Sequence, residues 1–534
     1  MFRGGWSLEA AEAVTRGVPS PTPLLESLQE LVEHSLVTVS HADDAQHRYT
    51  MLETIREYAQ LKLADRGATQ QVRQAHTGYF LDLARTAREH LLAADQLLWL
   101  DRLEREHDNL QEALGYADRV GDTETELRLV GDLWRFWYLH SYLTLACHWL
   151  DRTLAQPLPE SSVGLATRTD VLAGRTSLAL VQTDYRRASA TAEEGIRLAE
   201  QIGDRRNQAY LLNCLAIVAR NRSDLARARE LGMQAEQFAR ATHDNWTLAL
   251  VLHNLADVAR IEADYSRAEQ IASESLALST GINDGWGIIQ SQMVLAWIAF
   301  DTAQYVRAGE LFARCREMAT ALGHTRDLGR ALAGLGELAL ARGELEAAEA
   351  LLDEAEARWR TVGDAVRLAQ VLNVQARLAD TRGRADEAAA WILSALALFR
   401  SAGHQLGVAE CLEALAALIA AGQPDADAAG ETVELIAHAT RLRELIGAPQ
   451  APAEAARHDD FVAAARAQLA PATFEKRWQS GLNDAFEDLV ARLSSRYTTA
   501  AATPGGPQSP PHSGGPPKPA ALNPVARARP SDQR

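Results

Sequence analysis

Residues 203–244 read GDRRNQAYLLNCLAIVARNRSDLARARELGMQAEQFARATHD, one complete unit of the pattern that decides the fold. Gly203-Asp204 opens the unit, Asp224-Leu225 divides it and His243-Asp244 closes it. The segments between these turn-like pairs are long enough for helices of about four to five turns. In the first segment Leu211, Leu212, Leu215, Val218 and Ala219 fall at spacings of three and four, one apolar stripe along a helix. The second segment carries a small residue, Ala228, where a neighbouring helix can approach closely. Shifted by 40 residues, that alanine recurs as Ala188, Ala268, Ala308, Ala348, Ala388 and Ala428. Asp184-Tyr185, Asp264-Tyr265, Gln304-Tyr305, Glu344-Leu345 and Arg384-Ala385 repeat the dividing pair, and Asn283-Asp284, Gly323-His324, Gly363-Asp364 and Gly403-His404 the closing one. An alanine-rich chain produces chance registers, but not one locked to two sets of turns. Two helices per unit at this period mean an α-solenoid.

The unit resembles the tetratricopeptide repeat. The family's Leu-Gly/Ala pair in the first helix is matched by Leu215-Ala216, Leu255-Ala256, Leu295-Ala296, Leu335-Gly336 and Leu415-Ala416, and its second-helix alanine by the register above. The units depart from the family in being 40 residues long and in lacking its proline near the repeat end. The expected fold is all-α: a right-handed α-solenoid of tetratricopeptide-like repeats with a period of 40, preceded by a truncated winged-helix-like segment.

That segment spans 1–66. A helical stripe at Leu24, Leu25, Leu28, Leu31 and Val32 precedes two short strands, Ser35–Val39 and Arg48–Met51, and a helix from Leu52 to Ala64. Phe2-Arg3-Gly4-Gly5-Trp6-Ser7-Leu8, Ser35-Leu36-Val37 and Met51-Leu52-Glu53-Thr54-Ile55-Arg56-Glu57-Tyr58 resemble the winged-helix portion of bacterial STAND-class signalling ATPases, the LuxR-type and antibiotic-pathway regulators. The likeness continues through Arg73-x-x-His76-x-x-Tyr79-Phe80, Glu106-His107-Asp108-Asn109-Leu110 and Leu133-Trp134-Arg135-Phe136-Trp137 to Trp478 and Gly481. It implies the sensor arm of a nucleotide-dependent switch. The nucleotide-binding half would be encoded separately or upstream, or be lost. A phosphate-cradling loop needs a lysine after glycine, and none of Lys62, Lys476 and Lys518 follows one. No cofactor is expected. Where related switches carry a nucleotide-sensing histidine stands Leu52, expected as a buried core leucine.

Beyond the first segment, residues 67–160 read as a helical bridge with helices at Asp95–Arg119 and Thr123–Leu139, and 161–447 as the regular repeats. Residues 448–500 read as a cap sealed by Phe461, Leu469, Phe474, Trp478 and Leu482, and 501–534 as a disordered Pro/Gly-rich tail.

The charge of −17 repels phosphate backbones and anionic membranes, and the first helical stripe carries Glu26, Glu30 and Glu33 with no Lys or Arg, so direct nucleic-acid contact is not expected. No run of about 18 apolar residues suggests a membrane span. Cys147, Cys214, Cys315 and Cys411 stand far apart, which fits a reducing, cytoplasmic setting without disulfides or zinc. No HExxH or GxSxG occurs, so neither a catalytic nor a metal site is expected.

The candidate site is the groove lined by first helices. The register projects onto it Tyr210, Asn213, Arg220 and Asn221, then His253, Asp257 and Arg260, then Met293, Trp297 and Phe300, then Arg330 and Glu337, then Asn373, Arg377 and Asp380. Arginines and asparagines suit a carboxylate or a peptide backbone, and Trp297 with Phe300 an aromatic anchor. The expected role is a regulatory scaffold that binds a peptide, protein or small-molecule input. A stand-alone adaptor without a nucleotide-dependent switch is the alternative.

Overall fold

The computed structural model describes residues 1–483 except 20–21, 42–46, 94, 423–424 and 451. The expected tail lies outside the described residues.

The N-terminal unit comprises β1 (Trp6–Ser7), α1 (Leu8–Thr15), α2 (Leu24–Glu33), β2 (Thr38–His41), β3 (His47–Thr50) and α3 (Glu53–Asp65). Its antiparallel sheet has the order β1-β3-β2, with Val39 opposite Tyr49. The sequence reading did not place α1. That helix is only eight residues long, too short to show a period, and starts because Ser7 Oγ accepts from Ala10 N–H at 3.1 Å. Trp6, Ala10, Leu28, Val37 and Tyr49 fill the small core. Leu52 does not join them. It is 70% exposed, at the start of a helix, α3, that buries none of its residues. The small core is built from β1, α1, α2 and the sheet, and among the described residues α3 adds no buried side chain to it.

Helices α4 (Thr69–His90), α5 (Gln96–Arg105), α6 (His107–Val120), α7 (Thr123–Leu139) and α8 (Leu143–Leu154) follow. The single helix expected over Asp95–Arg119 is two, broken at Glu106. The break serves the N-terminal unit. Asn109, fully buried, accepts from Arg3 N–H at 2.7 Å and donates to Gly5 O at 2.8 Å, while Glu106 pairs with Arg48 at 2.6 Å. Phe2 stacks on Trp6 and meets Phe80 of α4 edge-on.

The repeats follow as seven helix pairs. The first members are α9 (Ser162–Val181), α11 (Arg205–Asn221), α13 (Asn245–Ile261), α15 (Gly285–Asp301), α17 (Thr325–Ala341), α19 (Ala365–Thr381) and α21 (Gln405–Ala421). The second members are α10 (Tyr185–Ile202), α12 (Leu225–Ala241), α14 (Tyr265–Gly281), α16 (Tyr305–Ala321), α18 (Leu345–Val362), α20 (Ala385–Ala402) and α22 (Ala426–Ile446). The turn pairs work by one device. A left-handed residue ends a helix and the next residue caps the following one: Gly203 (φ 71°) precedes Asp204, whose carboxylate accepts from Asn207 N–H at 3.0 Å. Ser223 and Asp224, His243 and Asp244, and Gly363 and Asp364 do the same. Every alanine of the 40-residue register is buried, six of the seven with no exposed surface. Ala268→Leu is therefore expected to overpack the crossing of α13 with α14 and to cost about 1–3 kcal/mol in urea denaturation; an unchanged midpoint would mean the helices can separate.

After α22, α23 (Pro452–Gln468) and α24 (Pro471–Asn483) close the stack. Leu469 and Phe474 pack with Ala429, Val433 and Ala465, and Trp478 and Leu482 are half-buried. The side chain of Phe461 lies outside the described residues.

The solenoid winds tightly enough to touch itself. Arg326 donates to Tyr138 Oη at 2.8 Å across 188 residues, and Leu406 N–H donates to Ser223 Oγ at 2.9 Å across 183. Leu225 packs against Ile446 and Ala448. Successive superhelical turns therefore meet, and the first helices are drawn around an enclosed axis.

Candidate functional site

Two adjoining cavities lie along that axis, of about 290 Å³ and about 660 Å³. The smaller is walled by Tyr210, Asn213, Asn221, Arg220 and His253, the larger by Trp297, Phe300, Glu337, Asn373, Arg377 and Asp380. Asp257, Arg260 and Arg330 line both. Fourteen of the fifteen residues projected from the register thus share one inner face, because a 40-residue shift moves each position onto the same side of the next first helix. Met293 is the exception. It is fully buried among Ile289, Ala296 and Phe312, since α15 is apolar on more than one face.

The polar wall is a chain of charge-assisted bonds between helices. Arg220 Nη1 donates to Asp257 Oδ2 at 2.9 Å and to Asn254 Oδ1 at 3.2 Å. Arg260 donates to Asp257 Oδ1 at 3.0 Å and to Asp301 Oδ2 at 2.7 Å, linking α13 to α15. Arg377 reaches Glu337 at 2.7 Å, linking α19 to α17. Burial pushes the Asp257 carboxyl up, but Arg260 and Arg220 outweigh it and hold the group well below the usual carboxylate range. Burial, with Arg330 and Arg220 nearby, lowers His253 to about 3; burial, with Arg367 and Arg220, lowers His404 to about 4. Both imidazoles are neutral at pH 7.

Several wall residues escaped the sequence reading. Arg326, Arg367, His324 and His404 line the smaller cavity. They sit at the cap and first turn of first helices, and the projection had covered mainly the middle and end of each. An aromatic file was also missed: Tyr210 stacks on Trp246 at 6.1 Å and Trp246 on Trp286 at 6.4 Å, with the Arg135 guanidinium 4.4 Å from the Trp246 ring. Its signal was present, since Trp246, Trp286 and Arg326 share one 40-residue register.

Among the described residues no cluster of His, Cys, Asp or Glu could hold a metal ion. The four cysteines are free, and burial pushes Cys214 and Cys315 up to about 12, away from thiolate chemistry. No described helix is long and apolar enough to cross a membrane.

Residues 2–64 match the winged helix-turn-helix domain family. Relatives from Mycobacterium bovis and Mycobacterium tuberculosis, described as candidate HTH-type transcriptional regulators, are 32% identical over 211 residues, 38% of this chain and 23% of theirs. The chain thus spans about a quarter of the length of the relatives it matches. Among solved structures, a Rap protein complexed with competence and sporulation factor is similar at a TM-score of 0.47 and 12% identity, over 71% of this chain and 99% of that one. A STAND protein with a tetratricopeptide repeat sensor from Pyrococcus horikoshii is similar at 0.41 and 14% identity, over 71% of this chain and 58% of that one.

Proposed function

We propose that this chain is the sensor arm of a STAND-type transcriptional regulator. A peptide, protein or small-molecule input seats on the inner face, and the resulting change in the superhelix passes through α4–α8 to the winged unit. The observation that carries the reading is the convergence of polar and aromatic side chains from successive first helices on one enclosed face, in a chain whose winged helix-turn-helix unit is hydrogen-bonded to α6. The relatives' description as regulators supports it. A nucleotide-binding domain, in the same polypeptide or a separate one, is the partner that would supply the switch. The exposed Glu26, Glu30 and Glu33 on α2 would repel phosphates, which favours a packing role for the winged unit over direct DNA contact. The reading makes the protein a binder and not an enzyme, working in the cytoplasm.

The test is capture from cell lysate by the whole chain beside a Trp297→Ala/Asn373→Ala/Arg377→Ala variant of matched melting temperature. A partner lost only by the variant supports the inner face as the site. A partner held equally by both overturns it.

A further inference from the structure

Five arginines line the smaller cavity, and four of them have a carboxylate within reach. Arg220 and Arg260 share Asp257, Arg330 lies 3.5 Å from Asp327 and Arg326 4.0 Å from Asp364. Arg367 makes no ion pair among the described residues; its Nη1 donates to the neutral Gln370 Oε1 at 3.0 Å. Unused donors belong to other side chains of the same wall. Asn213, 1% exposed, has Nδ2 without a hydrogen-bond partner, and the buried Nε atoms of Arg326 and Arg330 have none. His324, 6% exposed, lacks a hydrogen bond at either ring nitrogen. Such groups are rare in a settled interior, where a buried donor without an acceptor is costly.

We propose that this cavity is an anion subsite, in which a ligand's carboxylate or phosphoryl group is held by Arg367 with Arg330 and Arg220, and Asn213 and His324 supply neutral donors. This rests on the inner face being the input site. Guanidinium forks match both oxyanions in paired hydrogen bonds, and the shared chemistry is a compact anionic head. A space of about 290 Å³ admits such a head and no folded partner. In the adjoining cavity Trp297, Phe300 and Leu340 form an apolar strip beside the polar Asn373 and Arg377, and that strip takes the apolar remainder. The ligand class is therefore a small amphipathic anion. Electrostatics agree with the geometry: burial, with Arg330 and Arg220, outweighs the opposing Asp364 and Asp257 and brings Arg367 down to about 10, and an anion would relieve the remaining repulsion.

The whole chain is titrated by calorimetry with inorganic phosphate and, separately, with hexanoate, at ionic strength held constant with chloride. Saturable binding of at least one probe is expected, weakened tenfold or more by Arg367→Gln. It should be unchanged by Arg240→Gln, a substitution of an exposed residue of α12 paired with Glu236 on the same helix and Glu274 on α14. Phosphate binding alone would assign a phosphoryl head, and hexanoate binding alone a carboxylate. Arg367→Gln should melt no lower than the parent, because it removes a half-buried charge that no described carboxylate pairs with directly. A clearly lower melting temperature, an absence of saturable binding, or equal binding by Arg367→Gln overturns the subsite. If anion binding fails while lysate capture still depends on Trp297, Asn373 and Arg377, the subsite alone falls; capture that survives their replacement removes the reading beneath it.

Discussion

Asp257→Asn is expected to destabilise the repeats by about 3–5 kcal/mol, the usual cost of removing one partner from a buried ion pair. Among the described residues Asp257 is the single carboxylate paired with Arg220 and one of two paired with Arg260, and all three side chains are largely shielded from water. The substitution keeps the shape and removes the charge. Arg220 then faces Asn254 and Asn221 alone, still beside Arg330. Most contacts of each unit are with its neighbours, and the bond from Leu406 to Ser223 is an exception, so the loss should be largest between α11 and α15 and broaden or split the unfolding transition. Urea denaturation followed by amide exchange checks this: residues 205–301 should lose protection before 365–421. Adding Arg220→Gln to Asp257→Asn should recover part of the loss, since it removes the stranded charge. A loss under about 1 kcal/mol would mean that water reaches the pair and that it behaves as a surface bridge.

Acid should unfold this protein from a higher pH than its carboxylates alone would allow. His76, His253 and His404 are lowered to about 4, 3 and 4, each chiefly by burial. Their folded values lie below the unfolded value near 6.5, so below that pH the unfolded chain binds more protons. Stability is thus fully present above about pH 6.5 and falls as the pH drops toward 4, by about 1.4 kcal/mol per pH unit for each histidine. At pH 4.5 the three together remove several kcal/mol. Asp257, depressed below the ordinary carboxylate value, acts in the same direction but only in more acidic solution, where the pH falls below the unfolded carboxylate value near 3.9. His404 is the sharpest case, since its Nδ1 accepts from Gly407 N–H at 2.9 Å and caps α21. Protonation removes that acceptor. His404→Asn keeps a good cap and cannot titrate, so it should flatten the melting-temperature profile between pH 6.5 and 4.5. A profile as steep as the parent's would assign the acid sensitivity elsewhere.

Much of the molecule was legible because its rules are local. The alanine register, the left-handed residue with its following cap and the apolar stripes each depend on bonds or contacts within a few residues, so a 40-residue shift exposes them. The inner-face residues were legible for the same reason: identical register means identical side of successive helices. Leu52 and the break at Glu106 were not, because one depends on what covers α3 and the other on Asn109 reaching Gly5 from 104 residues away.

The sequence by itself determined the unit, its two helices, the close approach at each alanine and the row of side chains turned inward. Only the tertiary structure decided that this row encloses a space. The rotation between neighbouring units is small, and it must accumulate over more than four of them before Tyr138 meets Arg326 and Ser223 meets Leu406. No short window contains that sum. It also decides which arginines pair directly with carboxylates, and Arg367 is one that does not among the described residues.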